Sequence, residues 1–277
     1  MNPGLLYVVA TPIGNLADIS RRAISVLSDV DLILAEDTRH CRKLLQEYGI
    51  KTHVRAFHEH NEEADTDGFI NQLLSGTTFA LISDAGTPLI NDPGYPLVKA
   101  AHDHHITLVP IPGPCAATSA LSVCGLPTDR FVYEGFLPNR RNARLGHLTA
   151  LENETRTMVF YESTHRITDC LVDMINVFGS GRQATLAKEM TKQHEKILRD
   201  SLSVIHDWLL EDEARQKGEF VLVVSGNTRA SGDDEEALRV LKVLLGHLSV
   251  RDATSVAAEI LGENKNTLYD LAIKLQK

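Results

Sequence analysis

Short apolar runs that end in turn residues recur through the first half of the chain. They lie at residues 5–10, 31–35, 54–57, 79–82 and 107–111, and Gly, Pro, Asn or Asp follows each within a few positions. Runs of this length with such boundaries are typical of buried strands. Helix-forming stretches separate them, and strands that alternate with helices predict a parallel sheet covered by helices.

The second half repeats this alternation less regularly. The strands and helices predicted there lie at residues 144–151, 156–161, 167–178, 183–188, 204–213 and 220–225. A polar, acidic stretch at 227–236 has the composition of a linker, and three helices are predicted after it, at 236–246, 250–261 and 266–275. We therefore expect an α/β protein with domains at residues 1–115 and 116–228 and a helical, helix-turn-helix-like extension at 233–277.

Composition narrows the class of protein. The chain has 277 residues, a net charge of −9 and no apolar run near the length of a membrane span. The N-terminus has no signal-peptide pattern, and none of the four cysteines forms a CxxC pair, so we expect a cytoplasmic protein without a zinc or dithiol site. The acidic balance argues against non-specific nucleic-acid binding. A local basic cluster at 140–144 fits either phosphate contacts or a solvated loop.

The densest cluster of turn residues follows the strand at 79–82. Gly86 and Gly94 would let a ligand touch the backbone, and Ser83, Asp84 and Thr87 supply polar groups. Ligands of open α/β sheets bind outside the carboxyl ends of the strands. The chain has no GxGxxG, GxxxxGK[ST] or GxSxG motif. The pattern thus favours a small organic ligand held between the two halves.

Two polar segments leave alternatives open. The acidic pair at 36–37 ends the second strand, where a carboxylate can accept from a ribose hydroxyl or cap the next helix. The segment at 58–62, with two histidines and two glutamates, fits a metal site or a polar loop near a ligand. No HExxH motif is present, and we expect no metal.

Several loop motifs resemble those of a known family. The segments are residues 6–16 (LYVVATPIGNL), 35–39 (AEDTR), 83–88 (SDAGTP), 92–94 (DPG), 112–114 (PGP), 160–163 (FYES), 188–189 (KE) and 218–220 (GEF). In this order they resemble the ribosomal RNA small subunit methyltransferase I family, within the tetrapyrrole-methylase-like group of S-adenosylmethionine enzymes. The resemblance covers about residues 5–226, and the tail resembles the family's C-terminal extension.

The resemblance implies two α/β domains of the tetrapyrrole-methylase type, with S-adenosyl-L-methionine in the cleft between them, and a homodimer. It also implies methyl transfer to the ribose 2'-hydroxyl of a cytidine in small-subunit (16S) rRNA near the decoding site, with free rRNA or the 30S subunit as partner. Carried over by position, the cofactor site comprises Pro12, Gly14, Ser83, Asp84, Ala85, Gly86, Thr87, Cys115, Ala116, Tyr161, Ala187, Glu219 and Phe220.

Catalytic and RNA-binding candidates follow from the implied chemistry. A ribose hydroxyl is a weak nucleophile at neutral pH, so an enzyme must align it and accept or relay its proton. The candidates for that proton are His58, Asp37, Glu162 and Glu189. Lys188 could lower the pKa of the hydroxyl or hold the adjacent phosphate. The expected phosphate contacts are Arg39, Arg140, Arg141 and Arg144. Two rival hypotheses are a tetrapyrrole methyltransferase with a small-molecule acceptor and a helix-turn-helix regulator.

Overall fold

The first half of the chain forms one parallel sheet. The computed structural model describes residues 4–227, 231–262 and 265–275. The strands of the first sheet are β1 (Leu5–Val9), β2 (Leu32–Ala35), β3 (Val54–Ala56), β4 (Phe79–Ile82) and β5 (Thr107–Ile111). They are ordered β3-β2-β4-β1-β5, and every neighbouring pair is parallel. The predicted strands are confirmed to within two residues at their ends.

Helices cover both faces of this first sheet. They are α1 (Arg21–Asp29), α2 (Thr38–Glu47), α3 (Glu62–Leu74) and α4 (Tyr95–Asp103). Leu27 and Leu44 of α1 and α2 share a core with Ile33, whereas Phe69 of α3 shares the opposite core with Leu34. Successive side chains of a strand point to opposite faces. A strand buried on both faces therefore appears in the sequence as an uninterrupted apolar run.

The second half forms a mixed sheet. Its strands are β6 (Phe131–Phe136), β7 (Thr157–Ser163), β8 (Gln183–Lys188), β9 (Lys196–Ser201) and β10 (Glu219–Val224). They are ordered β6-β7-β10-β8-β9, and only β6 and β7 pair in parallel. The helix α5 (Ala116–Val123) packs on one face, while α6 (Arg141–Ala150), α7 (Ile167–Phe178) and α8 (Leu202–Leu210) pack on the other.

Two strands of the second sheet, β6 and β9, were not predicted from the apolar pattern. Both lie at the edges of the sheet, and β9 (KILRDS) is mostly polar. Edge strands carry charged residues that discourage pairing with other chains, so they lack the continuous apolar run of a central strand. In β6 the pairing register also shifts between Tyr133 and Gly135, which breaks the alternation.

The C-terminal tail forms three helices with a small core of their own. They are α9 (Ser231–Leu245), α10 (Val250–Leu261) and α11 (Lys265–Leu275), and they pack through Leu241, Ala257 and Leu268. Because α9 already begins at Ser231, it takes in part of the predicted linker, while residues 228–230 lie outside the described part of the chain. Among the helices described, none is both long and apolar enough to cross a membrane.

Candidate active site

A cavity of about 390 Å³ lies where the two sheets meet. The loops that follow β1, β4 and β5 form one side, and the ends of β6, β7, β8 and β10 form the other. Its volume falls in the usual range of small-molecule sites. We call it the inter-sheet cavity; it is lined by Ile13, Ala85, Thr87, Ile90, Asn91, Asp92, Cys115, Ala116, Phe136, Tyr161, Glu162, Ser163, Ala187, Met190, Glu219, Phe220 and Val221.

Hydrogen bonds join the three loops of the first sheet into one floor. The N–H of Thr11 donates to the carbonyl of Gly86 at 2.8 Å, and the N–H of Gly86 donates back at 3.1 Å. The hydroxyl of Thr87 donates to the carbonyl of Pro114 at 3.0 Å. Since β4, β1 and β5 are neighbours in the sheet, these bonds fix the loops relative to one another.

Several residues of the loop after β4 have an unusual backbone conformation. Gly86 and Gly94 have φ of +85° and +127°, and Leu89 and Asn91 both have φ of +71°. Non-glycine residues seldom occupy the left-handed region, and such strain tends to persist where function requires a fixed geometry. Residues 90–92 of this loop line the inter-sheet cavity.

Aromatic side chains form the opposite wall. The phenol oxygen of Tyr161 accepts a hydrogen bond from the N–H of Ala117 at 3.0 Å, and burial raises the pKa of Tyr161 to about 12. The rings of Tyr133 and Phe136 pack edge-on against Tyr161, with centroids 5.2 and 5.6 Å away. The Tyr133 hydroxyl donates to the side chain of Asn91, which links this wall to the loop after β4.

The charged groups of the inter-sheet cavity are acidic. Asp92, Glu162 and Glu219 line it, and its described lining contains no Lys or Arg. Burial, together with the nearby carboxylates of Glu36 and Asp84, raises the pKa of Asp92 to about 6. Burial also raises the pKa of Glu162, whose Oε2 is enclosed without a hydrogen-bond partner. Such a lining suits a cationic or neutral organic ligand better than a polyphosphate.

A second opening of about 520 Å³ adjoins the inter-sheet cavity and shares Ile13, Ala85 and Glu219 with it. Four residues assigned to the cofactor by resemblance line only this second opening: Pro12, Gly14, Ser83 and Asp84. At Gly14 an added Cβ would lie 2.5 Å from Cγ of Lys192. The loop after β1 therefore lies directly against the loop after β8.

Most other residues that the resemblance assigns to the cofactor line the inter-sheet cavity itself. They are Ala85, Thr87, Cys115, Ala116, Tyr161, Ala187, Glu219 and Phe220. Gly86 lies behind them, in the bridge with Thr11. The structure thus gathers loops separated by more than 100 residues in the sequence around one space.

Lys188 and Glu189 lie elsewhere. Lys188 follows Ala187 on β8, and it lines a separate opening together with Glu189. Oε1 of Glu189 accepts from the N–H of Glu219 at 2.8 Å and from Nζ of Lys192 at 3.0 Å. Burial raises the pKa of Glu189, but these bonds outweigh it and lower the pKa overall. The Glu189 carboxylate therefore stabilises the start of β10. Because its pKa is lowered, it is a weak proton acceptor.

Asp37 caps a helix. Its Oδ1 accepts from the N–H of Arg39 at 2.7 Å, at the start of α2, and its carboxylate pairs with the Arg39 guanidinium at 3.0 Å. The hydrogen bond from the Arg39 side chain, helped by that from its backbone, lowers the pKa of Asp37 to about 2. Of the two alternatives for the acidic pair at 36–37, the structure therefore places Asp37 as a cap.

His58 also stands apart from the inter-sheet cavity. Its N–H donates to Oδ1 of Asn61 at 2.7 Å, its ring packs against His60, and its Nδ1 is enclosed without a hydrogen-bond partner. The Oε2 atom of Glu62 accepts a hydrogen bond from the N–H of Gly94 at 2.7 Å. Across the residues that can be described, no group of three or more His, Cys, Asp or Glu side chains is placed to hold a metal ion.

The arginine cluster divides into a buried and an exposed part. Arg144 is buried and pairs with Asp173, itself 1% exposed, at 2.7 Å. Arg141 reaches the same carboxylate at 3.0 Å but remains largely exposed. Arg140 and Arg39 are exposed. Arg144 therefore ties α6 to α7, whereas the exposed Arg39 and Arg141 are paired with Asp37 and Asp173.

The resemblance also implied that the loop at residues 11–15, which contains Ile13, lines the cleft. Sequence reasoning did not single out several other lining residues: Ile90, Asn91, Asp92, Phe136, Ser163, Met190 and Val221. Phe136 lies on an edge strand that the apolar pattern did not predict. Asp92 stands in the motif Asp92-Pro93-Gly94, so a signal was present, but nothing in the sequence shows which way its side chain points.

Comparisons with known proteins agree with this architecture. The family model for tetrapyrrole (corrin/porphyrin) methylases matches residues 5–206, and a model for the RsmI C-terminal HTH domain matches residues 231–276. Among solved structures, a diphthine synthase superposes with a TM-score of 0.62 at 14% identity, covering 80% of this chain and 90% of that one. Uroporphyrin-III-C-methyltransferase from Thermus thermophilus superposes with a TM-score of 0.56 at 19% identity, and the match covers 84% of this chain and 98% of that one.

Closer relatives match the chain from end to end. A protein of Pseudomonas aeruginosa named ribosomal RNA small subunit methyltransferase I is 50% identical over 100% of this chain and 99% of its own length. A protein of the same name from Escherichia coli O157:H7 is also 50% identical, over 99% of this chain and 96% of its own length. With both domain models and full-length relatives in agreement, the chain belongs to the ribosomal RNA small subunit methyltransferase I family, whose methyl donor is S-adenosyl-L-methionine.

Proposed function

We propose that this protein transfers a methyl group from S-adenosyl-L-methionine to the ribose 2'-hydroxyl of a cytidine in small-subunit rRNA, near the decoding site. The observation that carries the proposal is the inter-sheet cavity, which is mostly apolar, bears carboxylates and has no Lys or Arg in its described lining. The names of the relatives support small-subunit rRNA as the acceptor.

The chemistry of the lining fits this donor. S-adenosylmethionine supplies an electrophilic methyl group on a sulfonium, and it also carries a flat adenine ring and an ammonium group. Tyr161, Phe220 and Met190 offer apolar surface for the ring, while Asp92 and Glu219 offer negative charge. The start of α5 borders the cavity at Cys115, which makes no side-chain capping bond, so the helix terminus suits a polar group of the ligand.

The acceptor end of the site is marked by an exposed aromatic ring. Phe136 lines the inter-sheet cavity and is still 50% exposed. Unpaired RNA bases are commonly held by stacking on such rings. We place the target nucleobase against Phe136, with Arg140, Arg141 and Arg39 as phosphate contacts. Local contacts of this kind are needed because the net charge of −9 repels RNA as a whole.

We extend the proposal to a homodimer that acts in the cytoplasm on free rRNA or on the 30S subunit. All four cysteines are free thiols, which fits a reducing compartment. Analytical ultracentrifugation of the purified protein tests the dimer, because a species of twice the chain mass is expected at micromolar concentration.

The function is tested with labelled methyl donor and three acceptors: free 16S rRNA, 30S subunits lacking the modification, and a tetrapyrrole such as uroporphyrinogen. Nuclease digestion and mass spectrometry then identify the methylated nucleoside. We expect 2'-O-methylcytidine from one or both RNA acceptors. A methyl group on a base, or labelling of the tetrapyrrole alone, would contradict the proposal.

A further inference from the structure

The opening that Lys188 lines has a different charge from the inter-sheet cavity. Its volume is about 560 Å³, and it lies between the loop after β8 and the segment that joins α8 to β10. Four of its lining residues are Lys or Arg, and two are Glu. The inter-sheet cavity, in contrast, has no Lys or Arg in its described lining. We call this space the basic opening.

Lys188 is the most buried cation of the basic opening. It is 7% exposed and is the last residue of β8. Across the part of the chain that the structure describes, Lys188 forms neither an ion pair nor a hydrogen bond through its side chain. Burying a charge without a partner costs free energy. A buried ammonium that the chain itself leaves unpaired is therefore suited to hold an anionic ligand.

A second lysine lies directly opposite Lys188 on the neighbouring strand. The pairing of β8 with β9 sets Lys188 against Lys196, and Lys196 is exposed. Like charges in this position destabilise a sheet, because directly opposite side chains on one face are close. Among the described acidic residues, none forms an ion pair with Lys196 or with Lys217, which is also exposed at this opening. One anion between the two strands would relieve the repulsion.

The two glutamates of the basic opening are engaged with other groups. Oε1 of Glu189 accepts from Nζ of Lys192 at 3.0 Å and from the N–H of Glu219 at 2.8 Å. Oε2 of Glu195 accepts from the backbone N–H four positions earlier at 2.6 Å. Although Glu189 follows Lys188 directly in the sequence, its ion pair is with Lys192. The positive charge of the opening therefore remains largely uncompensated.

The wall beside these lysines is rigid. The guanidinium carbon of Arg215 lies 4.7 Å from the centroid of the Trp208 ring, and Nη1 of Arg215 donates to the Trp208 carbonyl at 2.9 Å. Arg215 also pairs with Glu211, so its charge is partly neutralised within the protein. Lys188, Lys196 and Lys217 are consequently the cations that a ligand would meet.

The basic opening and the inter-sheet cavity lie on opposite sides of the same strand ends. Ala187 lines the cavity and Lys188 the basic opening, because successive residues of a strand point to opposite faces. At the start of β10, Glu219 lines the cavity and Gly218 the basic opening. Lys188 is thus set apart from a hydroxyl that reacts inside the cavity, but it lies close to the chain that flanks it.

We propose that Lys188, together with Lys196 and Lys217, binds a backbone phosphate of the acceptor RNA beside the target nucleotide. The inference rests on the function proposed above, which makes RNA the acceptor. Lysine binds phosphate as a point charge, and each such contact gains free energy by releasing counterions from the RNA. A free phosphate ion has the same chemistry, so the test must separate the two sources.

The test measures the Kd for free 16S rRNA and for 30S subunits by filter binding between about 50 and 300 mM salt, together with kcat and KM for methyl transfer. The variants are Lys188→Met, which keeps the length of the side chain, and the double variant Lys196→Ala/Lys217→Ala. The control is Lys51→Met, because Lys51 is exposed and does not line the basic opening.

We expect Lys188→Met to weaken RNA binding about tenfold at low salt and to reduce the salt dependence by about one phosphate contact. The loss should appear in KM for RNA and not in kcat, and calorimetry should show the donor Kd changed less than about threefold. The double variant should also bind RNA more weakly, and Lys51→Met should match the wild type.

Three results would overturn the inference. The first is an unchanged RNA affinity and salt dependence in Lys188→Met and in the double variant. The second is a lower kcat at saturating RNA without a loss of affinity, which would place Lys188 in the chemical step. The third is stabilisation of the wild type, but not of Lys188→Met, by inorganic phosphate at constant ionic strength, with equal RNA affinities. That result would assign the opening to a free anion.

Folding and function are checked separately. Lys188→Met removes a buried, unpaired charge and should melt no lower than the wild type. If it does not fold, the double variant decides, because both of its sites are exposed and their replacement should leave stability nearly unchanged. A wild-type protein that binds RNA through these lysines but makes no 2'-O-methylcytidine would refute the proposed function and leave the phosphate contact standing.

Discussion

The phenol oxygen of Tyr161 accepts a hydrogen bond from the backbone N–H of Ala117 at 3.0 Å. Tyr161 lies on β7 of the second sheet, and Ala117 lies in the first turn of α5, directly after the connection from the first sheet. The bond therefore fixes the start of α5 against the aromatic wall of the inter-sheet cavity. It joins two residues that no local sequence pattern connects.

Replacing Tyr161 with Phe removes this acceptor and leaves the N–H of Ala117, a buried residue, without its partner. We expect a loss of about 1–3 kcal/mol in the free energy of unfolding and weaker binding of S-adenosylmethionine. Urea denaturation and calorimetry measure the two effects. Tyr95→Phe is the matched control, because Tyr95 is 67% exposed. Equal stability and donor affinity for Tyr161→Phe and Tyr95→Phe would contradict the prediction.

A methyl group at Gly86 should harm both stability and donor binding. Gly86 has φ of +85°, and an added Cβ would lie 3.4 Å from the Ile13 side chain. We expect Gly86→Ala to cost about 1 kcal/mol or more, because a side chain is strained in this region. Gly146 provides the contrast: it lies inside α6 with nothing within 4 Å of an added Cβ. Gly146→Ala should stabilise by about 0.5–1 kcal/mol. Melting temperatures that move in the same direction for both would refute this account.

Arg144 and Arg140 should behave differently despite their proximity in sequence. Arg144→Ala removes a buried partner of Asp173, and breaking such a pair costs about 3–5 kcal/mol. Arg140 is exposed, so Arg140→Ala should leave stability within about 0.5 kcal/mol. Instead it should weaken RNA binding and reduce its salt dependence by about one phosphate contact. Denaturation and filter binding at several salt concentrations separate the two effects. A stable Arg144→Ala protein would show that Arg141 alone satisfies Asp173.

The ring of Phe136 should matter for RNA and not for the donor. Phe136→Ala is expected to weaken acceptor binding by about 1–3 kcal/mol, the value typical of one stacked base. Phe136→Tyr should retain most of the affinity because it keeps the ring. Phe131→Ala is the control, since Phe131 lies on the same strand and is 43% exposed but does not line the inter-sheet cavity. Equal RNA affinities for Phe136→Ala and Phe131→Ala would argue against stacking at this ring.

The raised pKa of Asp92 predicts a pH dependence of stability. The folded protein holds this proton up to a pKa of about 6, above the ordinary 3.8, so it binds more protons than the unfolded chain between these values. The contribution of Asp92 to the free energy of unfolding therefore falls as pH rises through this window. Asp92→Asn, which cannot ionise, should melt above wild type at pH 7.5, and the gap should close near pH 4. A gap of the same size at both pH values would contradict this linkage.

For comparison, Asp103→Asn should change the melting temperature at neutral pH in the opposite direction from Asp92→Asn. The hydrogen bond from Lys99 lowers the pKa of Asp103, so its carboxylate favours the folded state at neutral pH. Its removal should lower the melting temperature slightly at pH 7.5, and this loss should disappear at low pH, where the carboxylate is protonated in both proteins.

Much of the fold follows from the apolar pattern. All five strands of the first sheet are found where that pattern predicts them, and β2 and β4 are buried along their whole length, as expected of parallel strands covered on both faces. The apolar pattern did not predict the edge strands β6 and β9, because β9 is mostly polar and the pairing of β6 is irregular. The loop motifs at 11–16 (TPIGNL), 36–39 (EDTR) and 83–88 (SDAGTP) likewise identified the family, since they are long and specific.

The sequence by itself determined the order of strands and helices in the first sheet, the strand-end loops and the family, because each of these depends on residues close together in the chain. The tertiary structure alone decided which side chains share the inter-sheet cavity. It brought Asp92 and Tyr161 to one space and left Lys188 and Glu189 outside it. Neighbours on a strand such as Ala187 and Lys188 face opposite sides of the sheet. Which side carries the site is set only when the two sheets pack together.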